Sequence, residues 1–440
     1  MLQQNKHTND GILLIGAVVL MTIALYARDL FGVNLAKLYL VALAVIPAFI
    51  MSYQSLVCFI FFLFPLTSGI PGNIIFPILI IVLLLKKRNS FEKNSLYCFM
   101  LLVFMELIHY AFYSFGINWT ETLGYFCNLF FLFYLISLRD GFVDNRKCLL
   151  FFCIGLAVFL LAIFFITQIN GSVEMLLESG NRIGYSKDIT DSEDVMMLNA
   201  NPNGLGFFSV VGIATIMVLY SLRTIKFRVM ILFSALYLFV GAMSLSRTFL
   251  ICVVLLFALY GFFLGKTKGK KYWLLSLLFL VFIAAFFYYI GKNTLLYDAY
   301  TNRIDNSTGD NMGGRTDIFS SYNSYLLDNP VCLIFGTGAV HYRNVINTIL
   351  VATHNGIQQI LVTYGLIGLF FFIVITVSAV RKCYVTKMPI CLLPFIIALF
   401  FVQSGQLLNP SIYLYLFIVS FYVMKLTSGG MNKINTERLT

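Results

Sequence analysis

Two arginines and a histidine stand in this sequence where a plain membrane connector has little use for them: Arg247 in SLSRTFL, Arg315 in MGGRTDIF and His354 in THNGIQQILVTYGLIG. Arginine offers a planar fork of donors that matches the oxygens of a phosphate or carboxylate. Arg247 lies between two apolar runs, where a charge is costly unless it faces water, a partner or an anion. The plainer reading is a side chain that reaches up to lipid headgroups. Gly313 and Gly314 precede Arg315 and let backbone come close to a ligand, although pairing with Asp310 or Asp317 would occupy the same guanidinium.

His354 is one of only four histidines and sits where a polar segment gives way to an apolar one. Thr353 or Asn355 can cap a helix that starts there, because both side chains accept hydrogen bonds from free backbone N–H groups. The imidazole then lies at the positive end of the helix dipole, which favours its neutral form and attracts anions. A neutral imidazole is equipped to act as a general base; a histidine hydrogen-bonded at an interface is the alternative. Ile357, Ile360, Leu361 and Tyr364 follow at helical spacing, and Gly365 and Gly368 offer a close helix contact.

The elements that must carry these residues are membrane helices. Of 440 residues, 60% are hydrophobic and 11% charged, and the mean hydropathy is +0.88, so the chain is an all-α polytopic integral membrane protein. Backbone groups in lipid must be satisfied internally, and the short alternating segments of a transmembrane barrel are absent. Apolar runs occur at 11–26, 35–50, 57–66, 74–85, 97–115, 123–138, 149–167, 205–222, 229–243, 249–264, 273–290, 357–380, 390–402 and 412–424. The third and fourth are short enough to be one re-entrant pair, so about twelve to fourteen spans are expected. No cleavage site follows the first run, which reads as an uncleaved anchor.

Lys86, Lys87 and Arg88, then Arg146 and Lys147, then Arg223, Lys226 and Arg228, then Lys266 to Lys271, then Arg381 and Lys382 fall in alternate connections. The positive-inside rule makes those connections cytoplasmic and puts both termini on the same side. The net charge of +11 is thus mostly topology and attraction to anionic lipid, and no nucleic-acid partner is implied. The nine cysteines show neither a disulfide framework nor metal spacing.

Two outer segments, 168–203 and 291–355, are too long to be mere connectors. The second contains TDIFSSYNSYLLDNP, whose Ile318, Tyr322 and Tyr325 to Leu327 fit one helical face before Pro330. Glu106 and His109 lie one helical turn apart inside the fifth run, as a buried structural pair or as part of a proton path. The run DITDSEDV lacks the spacing of a calcium loop and reads as a solvated face. No phosphate loop, zinc-protease helix motif or nucleophile elbow is present, which argues against ATP-driven chemistry inside the cell.

Taken in order, SLSRT at the start of a span, GGR opening a long outer loop, DNPVCLIFGTGAVHY, and THNGIQQILVTYGLIG returning to the membrane resemble the O-antigen polymerase and O-antigen ligase superfamily of bacterial envelope enzymes. NPNGLGFF, from Asn201, looks like that family's entry to its motif-bearing half. The resemblance implies a GT-C-like fold with three regions. Residues 1–200 would be N-terminal helices with the first outer loop, 201–427 the polymerase/ligase-like domain with outer loop 291–355, and 428–440 a cytoplasmic tail.

It also implies a glycosyltransferase of the bacterial inner membrane that works on its outer face without metal or other cofactor. Arg247 and Arg315 would hold the pyrophosphate of a lipid-linked donor and His354 would take the acceptor's proton. Arg343, His341, Tyr342 and Asn355 would be further substrate-binding candidates. The implied partners are undecaprenyl-pyrophosphate-linked oligosaccharides as donor and acceptor, membrane lipid and a chain-length regulator. Between the family's reactions a polymerase is preferred to a ligase, since two sizeable outer loops suit the handling of two glycan chains. A lipid-linked glycan transporter is the alternative of another class; it predicts internal symmetry and polar residues at the midplane, where these spans are poor in charge.

Overall fold

The computed structural model describes residues 2–86, 93–112, 144–178, 182–184, 198–269, 294–305, 315–338, 355–385, 388–402, 419–420 and 422–424, with scattered helical positions between 271 and 288. Among them every regular element is a helix. Among the described residues five helices are long and apolar enough to cross a membrane, and five shorter ones are apolar. The chain forms two compact units, the first of residues 1–88, 141–306 and 389–397, the second of 89–140, 307–388 and 398–440.

In the first unit α1 (Leu2–Phe31), α2 (Lys37–Ile50), α3 (Tyr53–Leu63), α4 (Gly72–Lys86), α6 (Asn145–Gly171), α8 (Pro202–Ser221), α9 (Phe227–Met243) and α10 (Arg247–Lys268) are accompanied by two short helices, α7 (Val173–Glu178) and α11 (Leu295–Asp305). Polar side chains start the helices. Ser52, Asp144, Asn201 and Ser246 each accept from a backbone N–H of the first turn that follows, which satisfies donors the helix itself leaves free.

Hydrogen bonds between helix ends establish alternation. Asp10 accepts from Ser52 N at 2.8 Å, Lys86 Nζ donates to the carbonyls of Phe49 and Met51, and Asp144 N donates to Gln54 Oε1. The starts of α1, α3 and α6 therefore meet the ends of α2 and α4. Lys86, Arg146 and Lys147 all lie at this end, as one shared orientation requires. At the opposite end Arg28 Nη1 donates to Gly69 O at 2.7 Å, Asn199 N to Ser68 Oγ and Leu198 N to Asp29 Oδ2. Asp10 and Arg28 are separated by about 27 Å of helix, and residues 52–69 cover that same length. The short third and fourth apolar runs are thus a full hairpin, not a re-entrant pair turning back midway.

α8 is buried along nearly all its length, as expected of a helix apolar all round. It meets α6 closely at Gly212, where a Cβ would stand 2.5 Å from Leu156, and α6 in turn meets α3 at Gly155, where a Cβ would stand 2.1 Å from Phe62 O. Buried hydroxyls find carbonyls. Tyr237 donates to Cys153 O at 2.6 Å and Tyr26 to Val158 O at 2.9 Å, bonds that an apolar surrounding makes costly to lose.

Arg28 and Asp29 form an ion pair with side chains 9% and 0% exposed. Arg28→Met strands a buried carboxylate, which costs on the order of 3–5 kcal/mol. Detergent-solubilised Arg28→Met should melt well below wild type, while Arg28→Met/Asp29→Asn, with no lone charge left and an acceptor kept for Leu198 N, should recover most of the loss. Equal melting of the single variant and wild type would show that the pair contributes nothing.

The second unit holds α5 (Lys93–Phe112), α12 (Arg315–Asp328), α13 (Pro330–Phe335) and α14 (Gly356–Val385). α15 (Leu393–Val402) is divided between the two units. The amphipathic stretch in the second outer loop is a helix, α12, and Pro330 both ends it and occupies the first turn of α13, where its missing N–H costs nothing. Tyr322, Leu326 and Val362 form a buried cluster flanked by Ile318, Tyr325, Leu333 and Leu361. Leu327 departs from the expected face and is 74% exposed.

α14 differs from the uninterrupted span expected over 357–380. Its backbone breaks at Gly365, with φ 64° and ψ −164°. The carbonyls of Val362 and Thr363 are taken by Thr337 N and Gly338 N, both at 2.8 Å. A Cβ at Gly365 would stand 2.2 Å from Ile334 O, and one at Gly336 would stand 2.2 Å from Thr363 O. A neighbouring segment of the same chain thus takes up carbonyls that the broken helix gives up, as irregular backbone in an apolar surrounding requires. The apolar part of the longer half, 366–380, is about 22 Å of helix. The shorter half, 356–364, packs on α12 and α13.

Candidate functional site

Arg247 is the first residue of α10 and is half-buried. The turn that delivers it is strained. Leu245, fully buried, has φ 48°, a left-handed conformation that a branched side chain adopts only when its surroundings insist. Those surroundings are on hand. Ser244 Oγ donates to Gly241 O at 2.6 Å. Opposite, a Cβ at Gly206 would come 3.0 Å from Phe249 Cβ and 3.3 Å from Ser246 Cβ. Gly206 belongs to the NPNGLGFF entry, so the capped starts of α8 and α10 lie side by side, and the partial positive charge of two helix N-termini gathers where Arg247 stands.

A third element reaches this turn. Tyr300 on α11 donates its hydroxyl to Ala242 O at 2.8 Å, and burial pushes the phenol pKa up, so it remains a donor at neutral pH. Sequence reasoning missed this contact, because Tyr300 carries no local motif.

In the second unit Arg315 is the first residue of α12. Asn355 caps α14: its Oδ1 accepts from Ile357 N at 2.9 Å and Gln358 N at 3.0 Å. Of the two cap candidates Asn355 does the work, and its oxygen is engaged with backbone at the position proposed for substrate binding. His354, His341, Tyr342 and Arg343 lie outside the described residues. Gln358, one turn into α14, donates Nε2 to Phe319 O at 3.1 Å and Asn323 Oδ1 at 3.2 Å, which fixes the start of α14 against α12. Among the described residues no three His, Cys, Asp or Glu side chains gather in a way that could hold a metal ion.

α5 contributes the other polar feature of this unit. Glu106 and His109 are 0% and 4% exposed, and His109 Nε2 lies 3.1 Å from Phe335 O and 3.0 Å from Gly336 O. The pair packs on the FGTG turn after α13. The signal for this contact was present as two glycines in DNPVCLIFGTG, but nothing local names their partner.

Residues 232–373 match the model of a protein family described as O-Antigen ligase. No curated protein and no solved structure matches the chain. The matched stretch runs from within α9 into the long half of α14 and carries Arg247, Arg315 and His354 in one segment. It is this segment, 232–373, that is similar to the O-antigen ligase family.

Proposed function

We propose that the protein is a polymerase of O-antigen or a related surface polysaccharide, which joins undecaprenyl-pyrophosphate-linked oligosaccharide repeat units at the outer face of the inner membrane. The observation that carries this reading is Arg247 at the first turn of α10, beside the start of α8 and inside the matched segment. Two helix N-termini and a guanidinium make a place for a pyrophosphate.

In the reaction an acceptor hydroxyl attacks the anomeric carbon of the donor glycan. The new C–O bond forms as the bond to the pyrophosphate oxygen breaks, and the configuration inverts. Charge grows on the leaving phosphate oxygens, where Arg247 and Arg315 stabilise it without a metal. The hydroxyl proton passes to His354 as the new bond forms. The products are a longer lipid-linked glycan and undecaprenyl pyrophosphate.

The test is display of surface glycan by gel in a strain lacking the gene. A ladder that collapses to lipid A-core bearing one repeat unit, restored by the wild-type gene, is the expected result. Loss of all attached glycan with accumulation of lipid-linked polymer would make the protein a ligase instead. Lipid-linked repeat units trapped on the cytoplasmic face would make it a transporter.

A further inference from the structure

We infer that His109 is a positioning residue for His354: its ring holds the FGTG turn, and through that turn it sets the half-helix 356–364 that begins beside the proposed base. The inference rests on the reading of His354 as the proton acceptor.

Both partners of His109 Nε2 are carbonyl oxygens, Phe335 O at 3.1 Å and Gly336 O at 3.0 Å. A carbonyl only accepts, so Nε2 must carry a hydrogen and donate, a tautomer assigned here from its partners. These carbonyls stand at the C-terminal end of α13, where a helix leaves acceptors without intrahelical donors. Water is the usual remedy at the surface; here a histidine from a distant helix supplies it.

The turn is held from two sides. Gly336 and Gly338 have φ 81° and 82°, and this reversal aims Thr337 N and Gly338 N at Val362 O and Thr363 O. Thr337 Oγ1 adds a bond to Val362 O at 3.0 Å. On the other side a Cβ at Gly338 would stand 3.0 Å from His109 Cβ and 3.1 Å from Glu106 Oε2. α5 therefore presses the turn against the broken part of α14.

Val362 and Thr363 belong to the same short helical piece that Asn355 caps and Gln358 ties to α12. These about nine residues of helix are one piece, so the FGTG turn is tied through it to the cap at Asn355, which His354 precedes in sequence. Geometry at a reacting group is unforgiving: a misplacement of about 1 Å costs on the order of 100-fold in rate. α5 lies outside the segment matched to the family model, so the inference makes the N-terminal half part of the catalytic arrangement.

The experiment compares His109→Gln, His109→Asn and His109→Leu in the full-length protein, purified and added to membranes of the strain lacking the gene, which contain its own lipid-linked repeat units. Ladder formation is followed in time by gel, and the melting temperature of each protein is measured. Gln places its amide nitrogen near the position of Nε2, whereas Asn reaches only that of Nδ1. The expected result is a rate lowered about 10- to 100-fold in His109→Leu and His109→Asn, with His109→Gln within about three-fold of wild type and folded fractions alike.

Three outcomes would overturn the inference: His109→Leu at the wild-type rate, His109→Gln as inactive as His109→Leu, which would make the ring a reacting group, or losses that merely follow the folded fraction. His354→Ala, run alongside, separates the two claims. If it keeps full activity, the base reading fails and the positioning role fails with it. If it is inactive while His109→Leu is normal, the positioning role alone is wrong.

Discussion

His354→Ala is expected to retain at most about one hundredth of wild-type turnover, and as little as one ten-thousandth, the range a positioned general base contributes. The residue precedes the start of α14 in sequence, and Asn355 caps that start. Its removal should therefore leave the helix formed and the protein present in the membrane in normal amount. Donor binding should persist, because the proposed pyrophosphate site lies elsewhere in the chain. Initial rates with purified protein, together with the glycan ladder of the complemented strain, measure the loss. An unaltered ladder would remove His354 from the chemistry.

Arg247→Ala carries the second large effect, a fall on the order of 100- to 1,000-fold, comparable to removal of one electrostatic donor aimed at developing charge. Arg247→Lys should recover only part of it, since an ammonium cannot present the bidentate fork. The strained Leu245 turn is held by Ser244, Gly206 and Tyr300, so the variant protein should remain folded, which its melting temperature checks. Rates are to be measured against dilution of the lipid-linked donor. A normal rate for Arg247→Ala would mean that this arginine only reaches to the lipid headgroups.

Much of the framework can be read from residue types. Long apolar runs can only be helices in lipid, and Asp144, Asn201, Ser246 and Asn355 mark helix starts because their side chains accept from the first turn. The order of Arg247, Arg315 and His354 was likewise visible, and the matched segment contains all three. What was not visible depends on residues far apart in the chain. Residues 357–380 keep helical spacing through Gly365, so nothing local announces a break that the FGTG backbone compensates. Arg28 and Asp29 carry no motif, yet they clasp Gly69 and Leu198. The contact between His109 and Gly336 joins residues 227 positions apart, beyond the reach of any periodicity.

The interruption at Gly365 also bears on how the bilayer acts on this protein. A continuous rod hands any tilt at one end to the other, and membrane helices tilt to match the local hydrocarbon thickness. Here the longer half, with its apolar stretch 366–380, is joined to the shorter half through one non-helical residue, while the shorter half is moored to α12 and to the turn after α13 by its own hydrogen bonds. A tilt of the lipid-side half meets that break before it meets the proposed base, so the geometry proposed for His354 does not have to follow the thickness of the membrane.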